Sequence, residues 1–374
     1  MRRRTNVPNS RRRRESTTTS LASEITKYEF ENGRCEGPKT LTCSTSADEK
    51  VCRRYHSYRS GQYAFPNDEN ELDRMDLENH LFSLVLGGNL HLAPLDSPQR
   101  ILDLGTGTGI WAIDMADRYP SAAVIGTELS PVQPKWVPPN LTFQIDDFSQ
   151  DWTFQEDSFD LIHWRLLLAS ISDYPRLFKQ AFDHTKPGGY LEVHEIDPMF
   201  YCDDGSLPEG SSARQWSVLF LEACAKLGRA IPPTDSYKVG MEAAGFVDVQ
   251  ERVYKRPSNT WPKDPRLKEI GKFTYANHVE GLHAFTIGPF TRALGWTPLE
   301  VEVLLAKARA EWRSRAIHGY QKGGGLGAEA GGENAGSEGQ EDMMSRFNAV
   351  WLKFGFGGFG CCLHEVLHEV LHEA

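Results

Sequence analysis

The sequence predicts an α/β fold in which helices flank a mostly parallel sheet. Short apolar segments alternate with helical patterns between residues 100 and 200. A glycine-rich loop separates the first apolar segment from the next helix, and later apolar segments end in acidic residues. Alternating strands and helices of this kind form parallel sheets, which bind ligands beyond the carboxyl ends of their strands.

The glycine-rich loop has glycine at every second position of 105–109, between a predicted strand over 100–104 and a predicted helix over 110–119. Glycine lets the backbone turn tightly and approach a ligand, and the start of a helix offers free N–H groups. Asp103 lies in the strand just before the loop. A carboxylate there does nothing for a pyrophosphate but attracts a cation. S-adenosylmethionine carries an ammonium and a sulfonium group, so the loop favours that cofactor; a tight turn without a ligand is the alternative.

Acidic residues follow in the order that a nucleotide-type cofactor requires. Four further strands are predicted, over residues 124–128, 141–147, 159–163 and 190–193. The first of these ends in Glu128, about 25 residues after Asp103, where nucleotide-binding folds place an acid on the ribose hydroxyls. The second ends in Asp146 and Asp147. The glycine and acid signals therefore fit one α/β domain.

These motifs resemble those of class I S-adenosylmethionine-dependent methyltransferases and, more narrowly, the fungal LaeA-like methyltransferases of secondary metabolism. The glycine loop within 102–111 is specific to the superfamily, while Pro-Asn-Asp-Glu at 66–69 and Trp-Val-Pro-Pro at 136–139 are specific to the subgroup. The resemblance covers roughly residues 55–320. It implies a Rossmann-like class I methyltransferase sheet, an N-terminal helical cap, and methyl transfer to an unknown small-molecule or protein acceptor. The resemblance is also compatible with regulatory protein partners.

The resemblance and the strand positions together assign the cofactor site. Asp103 orients the methionine ammonium group, and Glu128 accepts hydrogen bonds from the ribose hydroxyls. Asp147, or Asp146 as the alternative, contacts the adenine amino group, and the backbone N–H of Phe148 reaches the ring. The predicted cofactor residues are Tyr63, Asp103, Gly105, Thr106, Gly107, Gly109, Glu128, Leu129, Asp146, Asp147 and Phe148.

The predicted catalytic residues are His163, His194 and Glu195, which follow the fourth and fifth strands. Their strand ends place them near the methyl group. A neutral histidine can take a proton from an oxygen, nitrogen or thiol acceptor near pH 7. The alternative for each is a structural role, and an acceptor that is already deprotonated needs no base.

Helices are predicted on both sides of the sheet region. Residues 67–86 form the predicted cap helix, in which Asp68 and Glu71 have capping-box spacing. This helix either closes over the cofactor or packs beside the sheet. Farther along, residues 213–228 form an amphipathic helix and 264–317 are mostly helical, while 244–253 resemble the antiparallel sixth strand of the superfamily.

The sequence divides into three parts: a disordered basic tail over 1–55, a methyltransferase domain over 56–320, and a low-complexity tail over 321–374. The first tail has two arginine clusters and few apolar residues. It is a nuclear localisation signal, a mitochondrial presequence or a solvated tail. The last part begins glycine-rich and acidic, like a linker. The seventh strand is therefore missing, replaced, or supplied from around 350–354.

Composition narrows the classes of function further. A formal net charge of −10 argues against nucleic-acid binding by the folded domain. No apolar run of about 18 residues occurs, so no membrane partner is expected. The seven cysteines lack C-x-x-C spacing, which fits a reducing compartment, cytoplasmic or nuclear. Two H-E-x-x-H matches near the C-terminus arise from a four-residue repeat, so a metalloprotease is disfavoured and no metal site is predicted.

Two functions of different class remain in competition. The first is an S-adenosylmethionine-dependent methyltransferase, which the intact cofactor motif favours. The second is a regulatory protein that binds the cofactor without turnover. An NAD-dependent enzyme is disfavoured, because its G-x-G-x-x-G pattern needs glycine at position 110, where this chain has Ile110.

Overall fold

The computed structural model describes residues 29–31, 53–55 and 65–331. The first two segments are short strands, β1 (Glu29–Glu31) and β2 (Arg53–Tyr55), which pair antiparallel within the segment that the sequence predicts as a tail. The remaining predictions for the basic head, Tyr63 and the histidine repeats near the C-terminus lie outside the described residues.

A seven-stranded sheet forms the centre of the molecule, in the order β5-β4-β3-β6-β7-β9-β8. The strands are β3 (Arg100–Leu104), β4 (Ala123–Glu128), β5 (Leu141–Ile145), β6 (Phe159–Arg165), β7 (Thr185–Ile196), β8 (Phe246–Pro257) and β9 (Tyr320–Ala330). Strands β3 to β7 pair in parallel. Their carboxyl ends therefore meet at one edge, as the α/β prediction requires.

Seven α-helices and one short π-helix accompany the sheet in the described part of the chain. They are α1 (Glu69–Val85), α2 (Ile110–Arg118), α3 (Tyr174–His184), α4 (Ser212–Lys226), α5 (Thr234–Ala244), α6 (Pro265–Pro289), the π-helix Phe290–Leu294 and α7 (Pro298–Arg313). Five of the α-helices begin after a side chain that accepts a hydrogen bond from the first turn, namely Asp68, Asp173, Ser211, Asp264 and Thr297. Among the described residues, no helix is long and apolar enough to cross a membrane.

Apolar side chains bury both faces of the sheet. On one face α2 packs through Trp111 and Met115, and on the other α3 and α5 pack through Phe178 and Tyr237. A separate apolar cluster joins α4, α6 and α7, with Trp216, Phe220, Leu282 and Leu305 among its members. This helical layer adds a wall that the sheet alone does not supply.

The structure corrects the domain boundary at residue 320 and the expectation for the seventh strand. The glycine-rich segment 320–330 is strand β9, inserted between β7 and β8. Its glycines allow close packing, because a Cβ at Gly323 would lie 2.7 Å from Arg256 Cδ. Leu326, Ala328 and Ala330 are buried in the core. A segment with linker composition is therefore a central strand.

The structure also corrects the direction of β8. The sequence suggests an antiparallel sixth strand over 244–253, but β8 pairs antiparallel with β9, which in turn pairs antiparallel with β7. Two reversals restore the original direction, so β8 runs parallel to β7. The reversed strand is β9, because it returns from α7 to fill the gap between its two neighbours.

Candidate active site

A cavity of about 220 Å³ lies at the carboxyl ends of β3, β4 and β6. The glycine loop and α1 form one side of it, and residues of α4 and α6 form the far end. Nine predicted cofactor residues line it: Asp103, Gly105, Thr106, Gly107, Glu128, Leu129, Asp146, Asp147 and Phe148. The fold thus brings together acids that are widely separated in the sequence.

Gly105 and Gly107 form a backbone cradle in a conformation that favours glycine. Their φ values are 60° and 59°, in the left-handed region that favours glycine. A Cβ at Gly105 would lie 2.5 Å from Leu167 Cδ2, and one at Gly107 would lie 2.2 Å from Met75 Cε. Both glycines line the cavity, and a side chain at either position would push Leu167 or Met75 aside.

Gly109 has a different task from the other two glycines of the loop. It begins α2 with φ 83°, and a Cβ there would lie 2.3 Å from Phe143 Cζ. It is absent from the cavity lining. Its missing side chain makes room for packing against β5 rather than for a ligand.

Asp103 presents a buried carboxylate at the cavity. Its Oδ2 accepts a hydrogen bond from Thr106 Oγ1 at 2.5 Å, and its Oδ1 lies 2.7 Å from His163 Nδ1. Burial raises the pKa of Asp103 to about 7, while the Thr106 hydrogen bond and the charge of Arg165 act in the opposite direction. A cationic ligand would favour the ionised form, which fits the predicted contact with an ammonium group.

Glu128 holds its carboxylate at the end of β4 through backbone hydrogen bonds. Oε1 accepts from the N–H of Leu129 at 2.8 Å, and Oε2 accepts from the N–H of Gly107 at 3.1 Å. Burial raises the pKa of Glu128 against these bonds. A carboxylate fixed in this way retains acceptor capacity, which ribose hydroxyls could use.

Asp146 and Asp147 both line the cavity. Asp147 Oδ1 accepts from Ser149 Oγ at 2.6 Å, and Asp146 Oδ1 accepts from the N–H of Asp147 at 2.8 Å. Each side chain therefore supports the turn after β5, and the alternatives for the adenine contact stay open between them.

Among the predicted catalytic residues, His163 alone lines the cavity. Its ring stacks on Trp111 with centroids 3.6 Å apart, and both ring nitrogens have neighbours. Nδ1 faces Asp103, and Nε2 lies 3.3 Å from His194 Nδ1. His194 is fully buried behind it, with Nε2 2.6 Å from Glu192 Oε1.

Glu195 supports the loop after β6 instead of facing the cavity. Its Oε1 accepts from the N–H of Leu167 at 2.9 Å, and burial raises its pKa to about 8. In that loop Leu166 and Ala169 adopt left-handed conformations, with φ 57° and 60°. The carboxyl group thus stabilises a strained segment whose residues Leu166, Leu167 and Leu168 line the cavity.

A polar stripe on α1 was missed by the sequence reasoning. Glu71, Arg74 and Glu78 are buried and line the cavity, together with Asn79. Arg74 Nη1 donates to Asn277 Oδ1 of α6 at 2.9 Å. In the sequence, the spacing of charged residues at 71, 74 and 78 indicates only that they share one helix face, and such a face is usually exposed.

Arg165 and His278 are two further cavity residues outside the predicted set. Arg165 Nη2 donates to Asn79 Oδ1 at 2.6 Å, and burial lowers the arginine's pKa. His278 Nδ1 lies 2.7 Å from the carbonyl oxygen of Thr274. A carbonyl only accepts, so Nδ1 carries the proton and Nε2 keeps its lone pair. Burial lowers the pKa of His278, which favours this neutral form.

Comparison with known proteins identifies the family. Residues 78–251 match the family model described as a methyltransferase domain. The chain is 42% identical to Methyltransferase pytC of Aspergillus terreus over 306 residues, covering 81% of this chain and 88% of that protein. It is also 42% identical to the secondary metabolism regulator LAE1 of Cochliobolus heterostrophus over 275 residues, covering 72% and 90%. The chain belongs to the LaeA-like methyltransferase family.

A third relative has a more specific name. It is the protein-methionine methyltransferase laeA of Emericella nidulans, 35% identical over 276 residues, covering 73% of each chain.

Class I methyltransferases of this family use S-adenosylmethionine, and the cavity fits that cofactor. The glycine loop lines the cavity, and so do the buried carboxylate of Asp103 and the partly buried carboxylate of Glu128.

Proposed function

We propose that this LaeA-like chain transfers the methyl group of S-adenosylmethionine to a small organic acceptor. The observation that carries this proposal is the extent of the cavity. It runs without interruption from the glycine loop to aromatic side chains on other elements, namely Phe65, Trp216, Phe220 and Phe285. Methyl transfer needs donor and acceptor aligned in one pocket that excludes water.

The cofactor end is assigned to the predicted residues that line the cavity. Asp103 binds the ammonium group, Glu128 binds the ribose hydroxyls, and Asp146 or Asp147 binds the adenine amino group. The bound sulfonium supplies an already activated methyl group, so the protein mainly provides alignment. Gly109 is left out of the cofactor contacts, because its missing side chain serves packing against Phe143 of β5.

The acceptor end has aromatic walls beside the polar stripe of α1, which favours a flat molecule that carries polar groups. Trp216 and Phe220 stack with centroids 5.2 Å apart, and both are buried. His278 lines the same cavity and has a lone pair on Nε2, so it is placed to take a proton from an acceptor O–H, N–H or S–H group. His163 is less suited, because Asp103 and His194 contact its two ring nitrogens, whereas the second polar neighbour of His278 is the neutral Gln321 side chain.

A protein acceptor is the second candidate, and the name of the Emericella nidulans relative favours it. Incubation with labelled S-adenosylmethionine and separate small-molecule and protein fractions would distinguish the two. Label in the small-molecule fraction supports the proposal. Label in proteins supports the second candidate, and bound cofactor without any S-adenosylhomocysteine supports a regulator without turnover.

The first test of the site is calorimetric binding of S-adenosylmethionine. We expect Asp103→Ala to weaken binding strongly, because it removes the anion that faces the ammonium group. Asp117→Ala is the matched control, since Asp117 lies exposed on the neighbouring helix α2 and should leave affinity unchanged. A folded wild-type protein that binds no cofactor would contradict the proposal.

The compartment of this chain is also proposed from its sequence. The arginine clusters at 2–4 and 11–14 favour nuclear entry over cytoplasmic retention. A fluorescent protein fused to the full chain, with and without those arginines, would separate the two. Loss of nuclear signal in the variant supports the assignment, and an unchanged distribution contradicts it.

A further inference from the structure

Four buried side chains form a continuous hydrogen-bonded chain across three adjacent strands. Asp103 on β3 contacts His163 on β6, which contacts His194 on β7, which contacts Glu192 on the same strand. The three contacts measure 2.7, 3.3 and 2.6 Å. None of the four residues is more than 3% exposed, and only Asp103 and His163 line the cavity.

The number of protons in this chain follows from its contacts. Glu192 accepts from the backbone N–H groups of Leu92 and Ala93, so it is held as an acceptor, and His194 Nε2–H donates to it. Each of the three side-chain contacts needs one proton. Two neutral imidazoles supply only two, and with both carboxylates ionised the His163–His194 contact would oppose two lone pairs. The chain therefore holds a third proton.

We propose that this hydrogen-bonded chain of four side chains keeps its third proton when the cationic cofactor binds. Asp103 then becomes a full carboxylate, and no proton is released to solvent. The O–H bond at Asp103 Oδ1 breaks, and an N–H bond forms at His163 Nδ1. Glu192, acting through His194, balances the imidazolium charge. The net charge of the four groups is −1 before and after this step. His194 and Glu192 are thus positioning residues, and this inference rests on the proposed cofactor site.

Before the cofactor binds, the surroundings of the four groups favour the third proton on Asp103, and its transfer requires the bound cation to overcome the lowered pKa of His163. Burial raises the pKa of Asp103 to about 7 and lowers that of His163, while contact with His194 lowers the pKa of Glu192 to about 2 against the effect of burial. Before a cation arrives, the third proton therefore lies at the Asp103 end. Three other charged or titratable groups interact directly with the four side chains, namely Arg165, Glu128 and His91. Glu78 and Asp114 act on Arg165.

The retained proton has a measurable consequence for affinity. If Asp103, with a pKa of about 7, had to release its proton to solvent on binding, it would bind an ammonium group more weakly as the pH falls below 7. The limit of that effect is about tenfold per pH unit. With the proton retained, affinity stays nearly constant over the same range.

The test is calorimetry with S-adenosylhomocysteine, which keeps the ammonium group and cannot be turned over. Titrations between about pH 6 and pH 8, in buffers of different ionisation enthalpy, count the protons released on binding. For the wild-type protein we expect close to zero protons and an affinity that varies by no more than about twofold. Release of nearly one proton per ligand at the acidic end would overturn the inference.

Variants of the hydrogen-bonded side chains provide the second part of the test. Glu192→Gln removes the charge that balances the imidazolium, so Asp103 should release its proton to solvent when the ligand binds. The affinity for S-adenosylhomocysteine should then fall by up to about tenfold from pH 7 to pH 6. His194→Asn interrupts the chain one residue earlier and should give the same slope. His91→Gln is the control, because His91 acts on the chain but stands outside it, and it should behave as the wild type. Flat profiles in both folded variants would contradict the inference.

The wild-type measurement alone is decisive if either variant fails to fold. A folded wild type that binds S-adenosylhomocysteine and releases a proton contradicts the retained proton but leaves the cofactor site intact. A folded wild type that binds none at any pH contradicts the cofactor site itself. The two failures are therefore distinguishable.

Discussion

Gly107 and Gly109 lie two residues apart, yet their missing side chains serve different neighbours. Gly107 lines the cavity beneath Met75 of the cap helix, whereas Gly109 packs against Phe143 of β5. The alternation of glycine marks the loop as special but does not say which glycine faces the ligand. That distinction depends on β5 and α1, which are distant in the sequence.

A substitution at Gly107 tests whether ligand binding depends on this glycine. An alanine at a left-handed position costs roughly 1–2 kcal/mol, and its Cβ would displace Met75. We expect Gly107→Ala to weaken S-adenosylmethionine binding by about tenfold or more. Gly327→Ala is the control, since a Cβ there meets nothing within 4 Å. Equal affinities for the two variants, measured by calorimetry, would argue against the cradle.

At the scale of the elements, strand β9 determines whether the sheet is complete. Its residue Leu326 is buried and pairs in register with Val193 of β7 and Glu251 of β8. Composition indicated a linker because glycine is rare in central strands. The packing of Arg256 and His194 against Gly323 and Gly325 supplies the physical reason for glycine here.

The contribution of β9 can be measured through stability. Leu326→Ala removes a buried side chain from the core, which typically costs about 2–5 kcal/mol of unfolding free energy. Val253→Ala on β8 is the matched control, because Val253 is 52% exposed and its truncation should cost far less. Urea denaturation of both variants gives the comparison. A Leu326→Ala protein as stable as the control would mean that β9 is not part of the cooperative core.

At the scale of the whole molecule, a buried ion pair joins the cap helix to the sheet. Glu78 Oε1 of α1 lies 2.6 Å from Arg256 Nη2 of β8, and neither side chain is more than 2% exposed. Removing one partner of such a pair leaves an uncompensated buried charge. The cap is therefore part of the folded domain rather than a loose cover.

The prediction for this pair is a large loss of stability. Glu78→Gln should lower the unfolding free energy by about 3–5 kcal/mol. The control Glu222→Gln removes a similar contact, 2.7 Å from Lys226 Nζ, at the surface of α4. Its cost should be within about 1 kcal/mol, because water screens exposed pairs. Thermal unfolding of the two variants would reveal the difference, and equal midpoints would contradict a structural role for the cap.

The parallel sheet, the glycine loop and the acids at the strand ends follow from the sequence, because they depend on local periodicity and on positions close in the chain. Asp103 and Glu128 could be predicted as a pair for that reason. Tertiary structure alone decided the insertion of β9, the aromatic far end of the cavity, and the contact of Asp103 with the two histidines and Glu192. Those features join residues from distant elements, and their energies come from burial and pairing that no local pattern records.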